Sequence, residues 1–282
     1  MTAVAPPGGV RTLGPDDEAA LRRLFDHDPV EHCFAEARLD SGGLGEYAAG
    51  GAFWGYSSHG TLTSALLVGA NLVPIRTDHE ARAAFADMAV RRGRRSSSIV
   101  GAQDEVLHLW ELLEPLWGPA REVRPDQHLM VALDPPAVPP DPAVRLAVPR
   151  DVPALFPACV DMFTEEVGVS PIAGGMEFAY RRRVADLVAD GRSYARFEAE
   201  QPVFKAEIGA LSRRACQIQG VWTRPDRRRE GLASAGMASV VGLASRRAPA
   251  VSLYVNGYNE GALRAYRAAG FRTVGRFATV LF

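Results

Sequence analysis

A proline-rich segment near the middle of the chain limits how the rest can fold. The stretch DPPAVPPDPAV, residues 134–144, contains five prolines. Proline fixes the backbone dihedral φ and lacks an N–H donor, so this run cannot continue a helix or a central strand. It is typical of a semi-rigid linker. Because 282 residues with 47% hydrophobic content can build a core on each side, we predict two domains, residues 1–133 and 144–282, with a linker at 134–143.

Hydrophobic periodicity predicts the elements that follow the linker. A short strand RLAVP precedes two helices, one from about Asp151 and one around MEFAYRRRVADLVADG. Three alternating stretches, SYARFEAE, VFKAEIGALS and CQIQGVWT, are typical of a strand meander. A helix then runs to about Arg247, and a strand, PAVSLYVN, follows it. The half ends with the helix EGALRAYRAAG, stopped by Gly270, and with one or two strands in FRTVGRFATVLF.

The first half shows the same order of elements. It contains the strands GAFWGYSS, TLTSALLVGA and NLVPI, the helix HEARAAFADMAVRRG, the strand SSSIVGA, the helix EVLHLWELLEPLWG and the strand HLMVAL. The pattern predicts an α/β fold with a mixed sheet in each half. We interpret the halves as tandem copies, although mixed domains can share such an order by chance.

Charge and composition exclude several classes of protein. The net charge of −1 argues against a general nucleic-acid binder, and Lys205 is the only lysine in a chain rich in arginine. No apolar run reaches the roughly 18 residues that span a bilayer. The N-terminal MTAVAPPGGVR lacks the basic and apolar regions of a signal peptide. We therefore expect a cytoplasmic monomer or weak dimer with no membrane or nucleic-acid partner.

Cysteine and histidine positions exclude metal and triad chemistry in the second half. Cys33, Cys159 and Cys216 stand far apart without CxxC spacing, so we expect buried thiols and no zinc site. All six histidines lie in the first 128 residues. The second half therefore cannot form a Ser-His-Asp triad or a histidine metal site from its own residues.

The stretch RPDRRREGLASAGMASVV, residues 224–241, predicts a helix that begins at a glycine without a capping side chain. A helix N-terminus leaves about four N–H groups unpaired, and Ser or Asp normally takes one of them. An anion such as a phosphate group would satisfy these donors. For this stretch alone, a solvated basic turn before a closely packed helix is an alternative. The spacing fits neither the P-loop nor the dinucleotide fingerprint.

A second stretch, SLYVNGYNEGALRAYRAAGF, residues 252–271, decides between these interpretations. Asn259, Ala262 and Tyr266 are spaced by three and four residues and share one helix face. Together the two stretches resemble the Gcn5-related N-acetyltransferase (GNAT) family. Its acyl-CoA signature [Q/R]xxGx[G/A] after a strand matches RREGLA, at Arg228 to Ala233. Its later pattern V-x-x-x-N-x-x-A-x-x-x-Y-x-x-x-G-F is met without a gap from Val255 to Phe271. The resemblance covers about residues 144–282.

The resemblance implies a mixed sheet that splays open between CQIQGVWT and AVSLYVN, with the pantetheine arm of acetyl-CoA in the gap. The implied cofactor-binding residues are Val221, Trp222, Thr223, Arg228, Arg229, Glu230, Gly231, Leu232, Ala233, Ser234, Asn259 and Ala262. Two residues depart from the family pattern. Arg229 stands where the family often has glycine, and Glu230 where it often has a base. Glu230 fits only if its carboxylate points to solvent while its N–H faces the phosphate.

The implied reaction is acetyl transfer from acetyl-CoA to a primary amine, without a metal. Tyr266 would protonate the leaving thiolate, although it could instead be a packing aromatic. Many family members have a glutamate on the fourth strand, where this chain has Gln217 and Gln219. Glu207 on the preceding strand is our candidate base.

We place Glu165, Glu166 and Gln219 at the acceptor site. The two glutamates follow the first helix of the half, and in this fold the loop after that helix borders the acceptor. They could attract a cationic acceptor or act as a base through water. Each of these carboxylates, like Glu207, could also be an ordinary ion-paired or solvated one.

The first half departs further from the family. RTDHEARAAFADM contains no glycine where the phosphate loop should be, and Trp110 replaces the tyrosine. We expect a degenerate GNAT-like domain that does not bind acyl-CoA. It would contribute packing or one wall of the acceptor pocket.

Two other functions stay open. The missing glutamate on the fourth strand would suit a non-catalytic acyl-CoA-binding module. Aminoacyl transfer from tRNA is also compatible with tandem GNAT-like halves, but the phosphate loop argues against it.

Overall fold

The computed structural model describes residues 9–46, 48 and 50–282. The chain forms two compact units. Unit 1 contains the described residues up to Leu129 together with Thr273–Phe282, and unit 2 is Met130–Arg272. Most of the N-terminal stretch on which we based the absence of a signal peptide lies outside the described residues.

The strands and helices follow one order in both halves of the chain. The first half forms β1 (Val10–Thr12), α1 (Glu18–Phe25), α2 (Cys33–Gly42), β2 (Ala52–Ser58), β3 (Thr61–Val68), β4 (Asn71–Ile75), α3 (His79–Arg92), β5 (Ser98–Ala102), α4 (Gln103–Trp117) and β6 (Glu122–Ala132). The second half forms β7 (Arg145–Leu146), α5 (Val152–Val167), α6 (Glu177–Ala189), β8 (Ser193–Glu198), β9 (Gln201–Leu211), β10 (Ala215–Thr223), α7 (Leu232–Ala244), β11 (Ala250–Asn256), α8 (Glu260–Ala268) and β12 (Phe271–Leu281).

The predicted strands and helices are all present, and three elements were missed. Periodicity did not reveal β1, α1 and α2, which precede β2. With these three elements included, the order in each half is one strand, two helices, three strands, a helix, a strand, a helix and a strand. The predicted α/β fold with a mixed sheet in each half is therefore confirmed, and the identical order supports tandem halves.

In unit 1 the strand order is β1-β2-β3-β4-β5-β12-β6. Only β4 and β5 pair in parallel among the strand pairs whose registers are known, because a helix, α3, connects them. Phe277–Leu281 of β12 pairs antiparallel with Ser98–Ala102 of β5. We had assigned residues 273–282 to the second domain, whereas this pairing places them in unit 1.

In unit 2 the strands follow the order β11-β10-β9-β8-β7. Successive β9 side chains alternate between the two faces of the sheet. Phe204, Ala206 and Ile208 join the hydrophobic core with Met237 and Val240 of α7. The intervening residues 205 and 207 are charged and lie on the opposite face.

The proline-rich segment is anchored on unit 2. The Asp141 carboxylate accepts from the Ala143 N–H at 2.9 Å and pairs with Arg196 at 2.8 Å. The hydroxyl of Ser239, on α7, donates to the Asp141 carbonyl at 2.7 Å. The C-terminal part of the segment is therefore held at Asp141, beyond the stiffness that its prolines supply.

The remaining predictions from composition concern thiols, membranes and metals. Cys33, Cys159 and Cys216 are buried free thiols, as predicted. In the described part of the chain, no helix combines the length and the apolar character that crossing a bilayer requires. The described residues also contain no group of three or more His, Cys, Asp or Glu side chains suited to a metal ion.

Candidate functional site

The N-terminus of α7 has unsatisfied backbone donors. Gly231 occupies the N-cap position with φ 84°, a conformation that favours glycine, and no side chain caps the helix. The N–H groups of residues 229–234 donate to no acceptor in the described part of the chain. The helix dipole adds partial positive charge at the same point. This turn is therefore suited to bind an anion.

The equivalent helix of the first half is capped by the protein itself. The Asp78 carboxylate accepts from the Ala81 N–H at 2.8 Å at the start of α3. The Glu105 carboxylate accepts from the neighbouring Thr77 N–H, also at 2.8 Å. Two of the backbone donors that an anion would need at this helix start are therefore already used.

A gap opens between two parallel strands next to α7. Residues 215–217 of β10 pair with residues 250–252 of β11, and beyond these residues no pairing between the two strands is found among the described residues. Both strands continue, to Thr223 and Asn256. The predicted splay between the fourth and fifth strands of this half is therefore present, and Val221, Trp222 and Thr223 lie along its open part.

The open part of β10 contains a bulge at a glycine. The register with β9 shifts between Gln219 and Trp222, and Gly220 has φ 60°. A Cβ atom at Gly220 would lie 3.1 Å from side-chain atoms of Glu207, Lys205 and Met162. The backbone conformation therefore favours glycine here, and a Cβ atom would also require the neighbouring side chains to shift slightly.

Three consecutive arginines before Gly231 have different partners. Arg228 makes a bidentate ion pair with Glu165, at 2.9 and 2.6 Å. Arg227 Nε donates to Glu230 at 2.8 Å. Arg229 has φ 68°, a glycine-like conformation, at the position where the family often has glycine. The Glu230 carboxylate is turned to Arg227, so its N–H stays available to a ligand.

Tyr266 lies on α8 at the edge of the unit 2 core. Its side chain is 8% exposed and its ring centroid is 6.0 Å from that of Phe271. Burial, and to a smaller extent the charge of Glu166, raises the pKa of its phenol well above the ordinary value. Tyr266 is therefore a protonated phenol over the whole neutral range. Asn259 caps the same helix, since its Oδ1 accepts from the Ala262 N–H at 3.1 Å.

A buried polar network lies behind the bulge. Lys205 is 0% exposed, and its Nζ donates to the Gly220 carbonyl at 2.9 Å and contacts Glu207 at 3.4 Å. The amide of Gln219 donates to Glu207 at 2.9 Å, and Arg183 lies 3.5 Å away. Burial by itself would raise the pKa of Glu207, but Lys205, Arg183 and Gln219 together hold it below the ordinary value. Glu207 is thus an ionised, fully engaged carboxylate.

The structure therefore distributes the predicted site residues over three places. The 228–234 segment and Glu165 meet at the start of α7, Glu207 and Gln219 lie in the network behind β10, and Tyr266 lies on α8. The Trp222 side chain packs against Ala158 and Met162 of α5, and its buried Nε1–H has no partner in the described chain.

Four residues near this site were not predicted from the sequence, namely Lys205, Gly220, Arg183 and Tyr180. Tyr180 donates to the Cys159 carbonyl at 3.0 Å, and burial raises the pKa of its phenol. A signal for Lys205 did exist, because it is the only lysine of the chain and lies in a strand whose neighbours are apolar. The bulge at Gly220 left no comparable signal.

Family comparison identifies this half of the chain. Residues 181–271 match the family model described as Acetyltransferase (GNAT) family. The second half is a GNAT domain. Residues 51–155 match a model described as a domain of unknown function, DUF4081. No curated protein matches the chain.

Solved structures extend the GNAT likeness to nearly the whole chain. A GNAT-family acetyltransferase from Colwellia psychrerythraea has a TM-score of 0.57 at 12% identity, over 97% of this chain and 99% of its own. A GCN5-related N-acetyltransferase from Sphaerobacter thermophilus has a TM-score of 0.60 at 17% identity, over 99% and 96%. A tandem GNAT protein from the clavulanic acid biosynthesis pathway has a TM-score of 0.51 at 13% identity, over 96% and 98%. At identities this low, the likeness shows the fold alone. Because it extends over nearly the whole chain, it confirms the predicted tandem GNAT fold with a divergent first half.

The Glu207 network of the GNAT domain predicts an acid-sensitive contribution to stability. The folded-state pKa of Glu207 lies below its ordinary value of 4.5. The stabilisation is therefore fully present above about pH 4.5 and is lost as the pH falls through the folded-state value. We expect Glu207→Gln to lower the free energy of unfolding by about 1–3 kcal/mol at pH 7, because Lys205 loses its counter-charge. Denaturant unfolding at pH 7, 5 and 3.5 should show this difference shrinking at the lowest pH. An equal difference at all three would contradict the ion pair.

Proposed function

We propose that the GNAT domain transfers an acetyl group from acetyl-CoA to a primary amine of a small molecule or protein. One observation carries the proposal: α7 begins with free N–H donors beside an open gap between parallel strands. A diphosphate and an extended pantetheine chain would satisfy these two features together. The first half, whose α3 is capped by Asp78, would not bind acyl-CoA.

In this proposal the N–H groups of residues 229–234 bind the diphosphate of acetyl-CoA, and Arg228 adds a charge. Charge-assisted hydrogen bonds contribute about 1.5–3 kcal/mol each. Three or four of them would supply much of the roughly 8 kcal/mol of a micromolar complex. The backbones of Val221 and Thr223 would bond the pantetheine amides. The small side chains of Ala233 and Ser234 would let the diphosphate approach the first turn of α7, whereas the Leu232 side chain is buried. The cofactor contacts proposed for Trp222, Asn259 and Ala262 stay predictions.

The reaction needs a neutral amine and a proton for the leaving thiol. The amine nitrogen attacks the thioester carbonyl carbon, a C–N bond forms and the C–S bond breaks. Tyr266 gives its proton to the thiolate and regains one from solvent, while the amine proton leaves to water. An alkylammonium of pKa about 10.4 costs about 4.6 kcal/mol to deprotonate at pH 7.

The proton acceptor for the amine is the least supported part of the proposal. An efficient base has a pKa near the working pH, and the lowered pKa of Glu207 disfavours it in this role. In this proposal Glu166, whose charge acts on Tyr266, would attract the ammonium group of the acceptor. Deprotonation by water beside Glu166 is therefore our preferred route.

Release of free thiol tests the proposal. Purified protein is mixed with acetyl-CoA, a thiol-reactive dye and a panel of amines that includes small polyamines, amino acids and lysine-containing peptides. We expect thiol release above the rate of hydrolysis with at least one class of amine. Release no faster than without protein, for every amine, would overturn the proposed activity.

The Glu165–Arg228 pair predicts a variant that binds acetyl-CoA more tightly. Both side chains are partly exposed, and Glu165 holds the guanidinium that the diphosphate would need. An exposed ion pair contributes up to about 1 kcal/mol, so Glu165→Gln should raise acetyl-CoA affinity by up to about fivefold. Calorimetric titration measures this change. Glu177→Gln is the control, because Glu177 pairs with Arg181 on α6 at 3.0 Å and should leave the affinity unchanged. Weaker binding by Glu165→Gln would show that Glu165 supports the site.

A further inference from the structure

Unit 1 contains a cavity of about 330 Å³ between α1, β3 and the residue that follows β4. Its lining includes Arg23, Leu24, His27, Thr61, Thr63 and Arg76. Two arginines, a histidine and two threonines thus line one space, and the Thr63 hydroxyl donates to the Tyr56 carbonyl at 3.4 Å. No carboxylate is found among the described residues that line it. The volume lies at the lower end of the range for small-molecule sites and is too small for coenzyme A.

Arg76 is held in a strained conformation at this cavity. Its φ of 52° is rare for a residue with a side chain. The hydroxyl of buried Ser64 donates to the Arg76 carbonyl at 2.7 Å. The next residue, Thr77, is fixed by Glu105 at its N–H and by Arg82 at its carbonyl. Such strain persists only where the surroundings enforce it, and it is common at ligand sites. Backbone geometry alone would favour glycine here, so it does not explain the arginine.

The cations of the cavity have no internal partners. In the part of the chain that the structure describes, the guanidinium groups of Arg23 and Arg76 form no ion pair or hydrogen bond. Two neighbouring arginines of unit 1 are paired, Arg11 with Asp17 and Arg22 with Asp40. Unpaired guanidinium groups that share a cavity are suited to bind carboxylate or phosphate oxygens.

Several titratable groups surround these cations, and they include Asp28, whose charge opposes that of Arg76 and His27 at His32. Burial, assisted by the charges of Arg76 and His27, lowers the pKa of His32 to about 4. Of the nearby acids, Glu105 accepts from Thr77, and burial raises its pKa. Burial and the charges of Glu105 and Asp28 raise the pKa of Glu31 to about 7, so it is partly neutral at pH 7.

We propose that this cavity binds a small anion bearing a phosphate or carboxylate group, held by Arg23, His27 and Arg76. In the shared order of elements, α1, β3 and β4 correspond to α5, β9 and β10 of the GNAT domain. There, Glu165 near the end of α5 meets Arg228 after β10. At the corresponding place in the first half, Arg23 and Arg76 are both cations and form no such pair in the described chain.

Calorimetric titration with inorganic phosphate, pyrophosphate and citrate tests the proposal. The Ala233→Asp background blocks anion binding at α7, so that only the unit 1 cavity contributes. We expect at least one probe to bind with a dissociation constant of about 1 mM or tighter. Tighter binding of phosphate or pyrophosphate would indicate a phosphorylated ligand, and tighter binding of citrate a carboxylate ligand.

Two substitutions locate the binding. Arg76→Gly suits the backbone at φ 52° and removes the guanidinium, and Arg23→Ala removes the second cation from α1. Each should weaken binding by about tenfold or more, because a charge-assisted hydrogen bond is lost. Arg91→Ala removes an exposed arginine of the same unit and should change affinity less than about twofold. Melting temperatures verify that the variants fold. Binding weaker than about 10 mM for all three probes, or equal affinity in Arg76→Gly and wild type, would overturn the proposal.

Discussion

An Ala233→Asp variant is expected to lose about 100-fold or more of its affinity for acetyl-CoA. The substitution places a carboxylate in the first turn of α7, where the free N–H groups point. Two unit charges about 5 Å apart repel by about 3 kcal/mol at an effective dielectric constant near 20, and each 1.4 kcal/mol is tenfold. Position 233 is the second residue of α7, so the new carboxylate lies within the first turn and not at the N-cap position that Asp78 occupies on α3.

The same substitution should stabilise the folded protein slightly. An acidic residue in the first helical turn gains about 0.3–1 kcal/mol from the helix dipole. Loss of binding without loss of stability is a combination that simple misfolding cannot produce. Calorimetric titration with acetyl-CoA and thermal unfolding without ligand measure the two effects.

Ala233→Asn is the matched control, because it has the size of aspartate without its charge. We expect it to weaken binding by no more than about tenfold, since it adds no charge that would repel the diphosphate. If Ala233→Asp and wild type bind acetyl-CoA equally well, the N-terminus of α7 does not hold the diphosphate. The proposed site would then be wrong, whatever the activity of the protein.

The two halves of the chain differ in how they satisfy the backbone donors at the start of one helix. Both halves begin a helix after the fourth strand, and in both the fourth and fifth strands pair only at their start. In the first half, Asp78 and Glu105 satisfy local backbone donors. In the second, the N–H groups of residues 229–234 have no acceptor among the described residues. A few side chains at one helix start therefore separate a self-capped copy from one suited to a diphosphate.

The sequence predicted most of the fold because the local signals agree with one another. Strands such as VFKAEIGALS alternate, and α8 has both a cap at Asn259 and a stop at Gly270, where φ is 97°. The three missed elements, β1, α1 and α2, are short, and α2 has almost no amphipathic pattern. The pairing of β12 with β5 joins residues about 180 positions apart, which no local periodicity can report.

The part of the candidate site that could be predicted from the sequence is the part formed by the backbone. Gly231 and the uncapped start of α7 follow from the residue types alone. The contacts of Glu207 with Lys205, Arg183 and Gln219 could not be predicted from the residue types, because these partners lie on β9, α6 and β10. Those long-range contacts lower its pKa and weaken the case for our candidate base.

Tyr266→Phe is expected to lower kcat by about 100-fold while the affinity for acetyl-CoA stays unchanged. General acid catalysis contributes about 10²–10⁴-fold, and the substitution removes only the donor oxygen. No hydrogen bond of the Tyr266 hydroxyl is found in the described chain, so its loss should not weaken the core. Because burial raises the pKa of this phenol, wild-type activity should show no fall from its ionisation below pH 10.

Tyr180→Phe is the control, since it deletes the same atom from a second tyrosine of the GNAT domain. Its hydroxyl donates to the Cys159 carbonyl, so we expect a loss of stability of about 1 kcal/mol and little change in kcat. Steady-state thiol release and calorimetric titration of the wild type and both variants distinguish an acetyltransferase from a non-catalytic acyl-CoA-binding module. A non-catalytic acyl-CoA-binding module would bind acetyl-CoA in both variants and release no thiol with any amine in the wild type. Equal kcat values for Tyr266→Phe and wild type would instead mean that the leaving thiolate takes its proton from water, and Tyr266 would then be a packing residue.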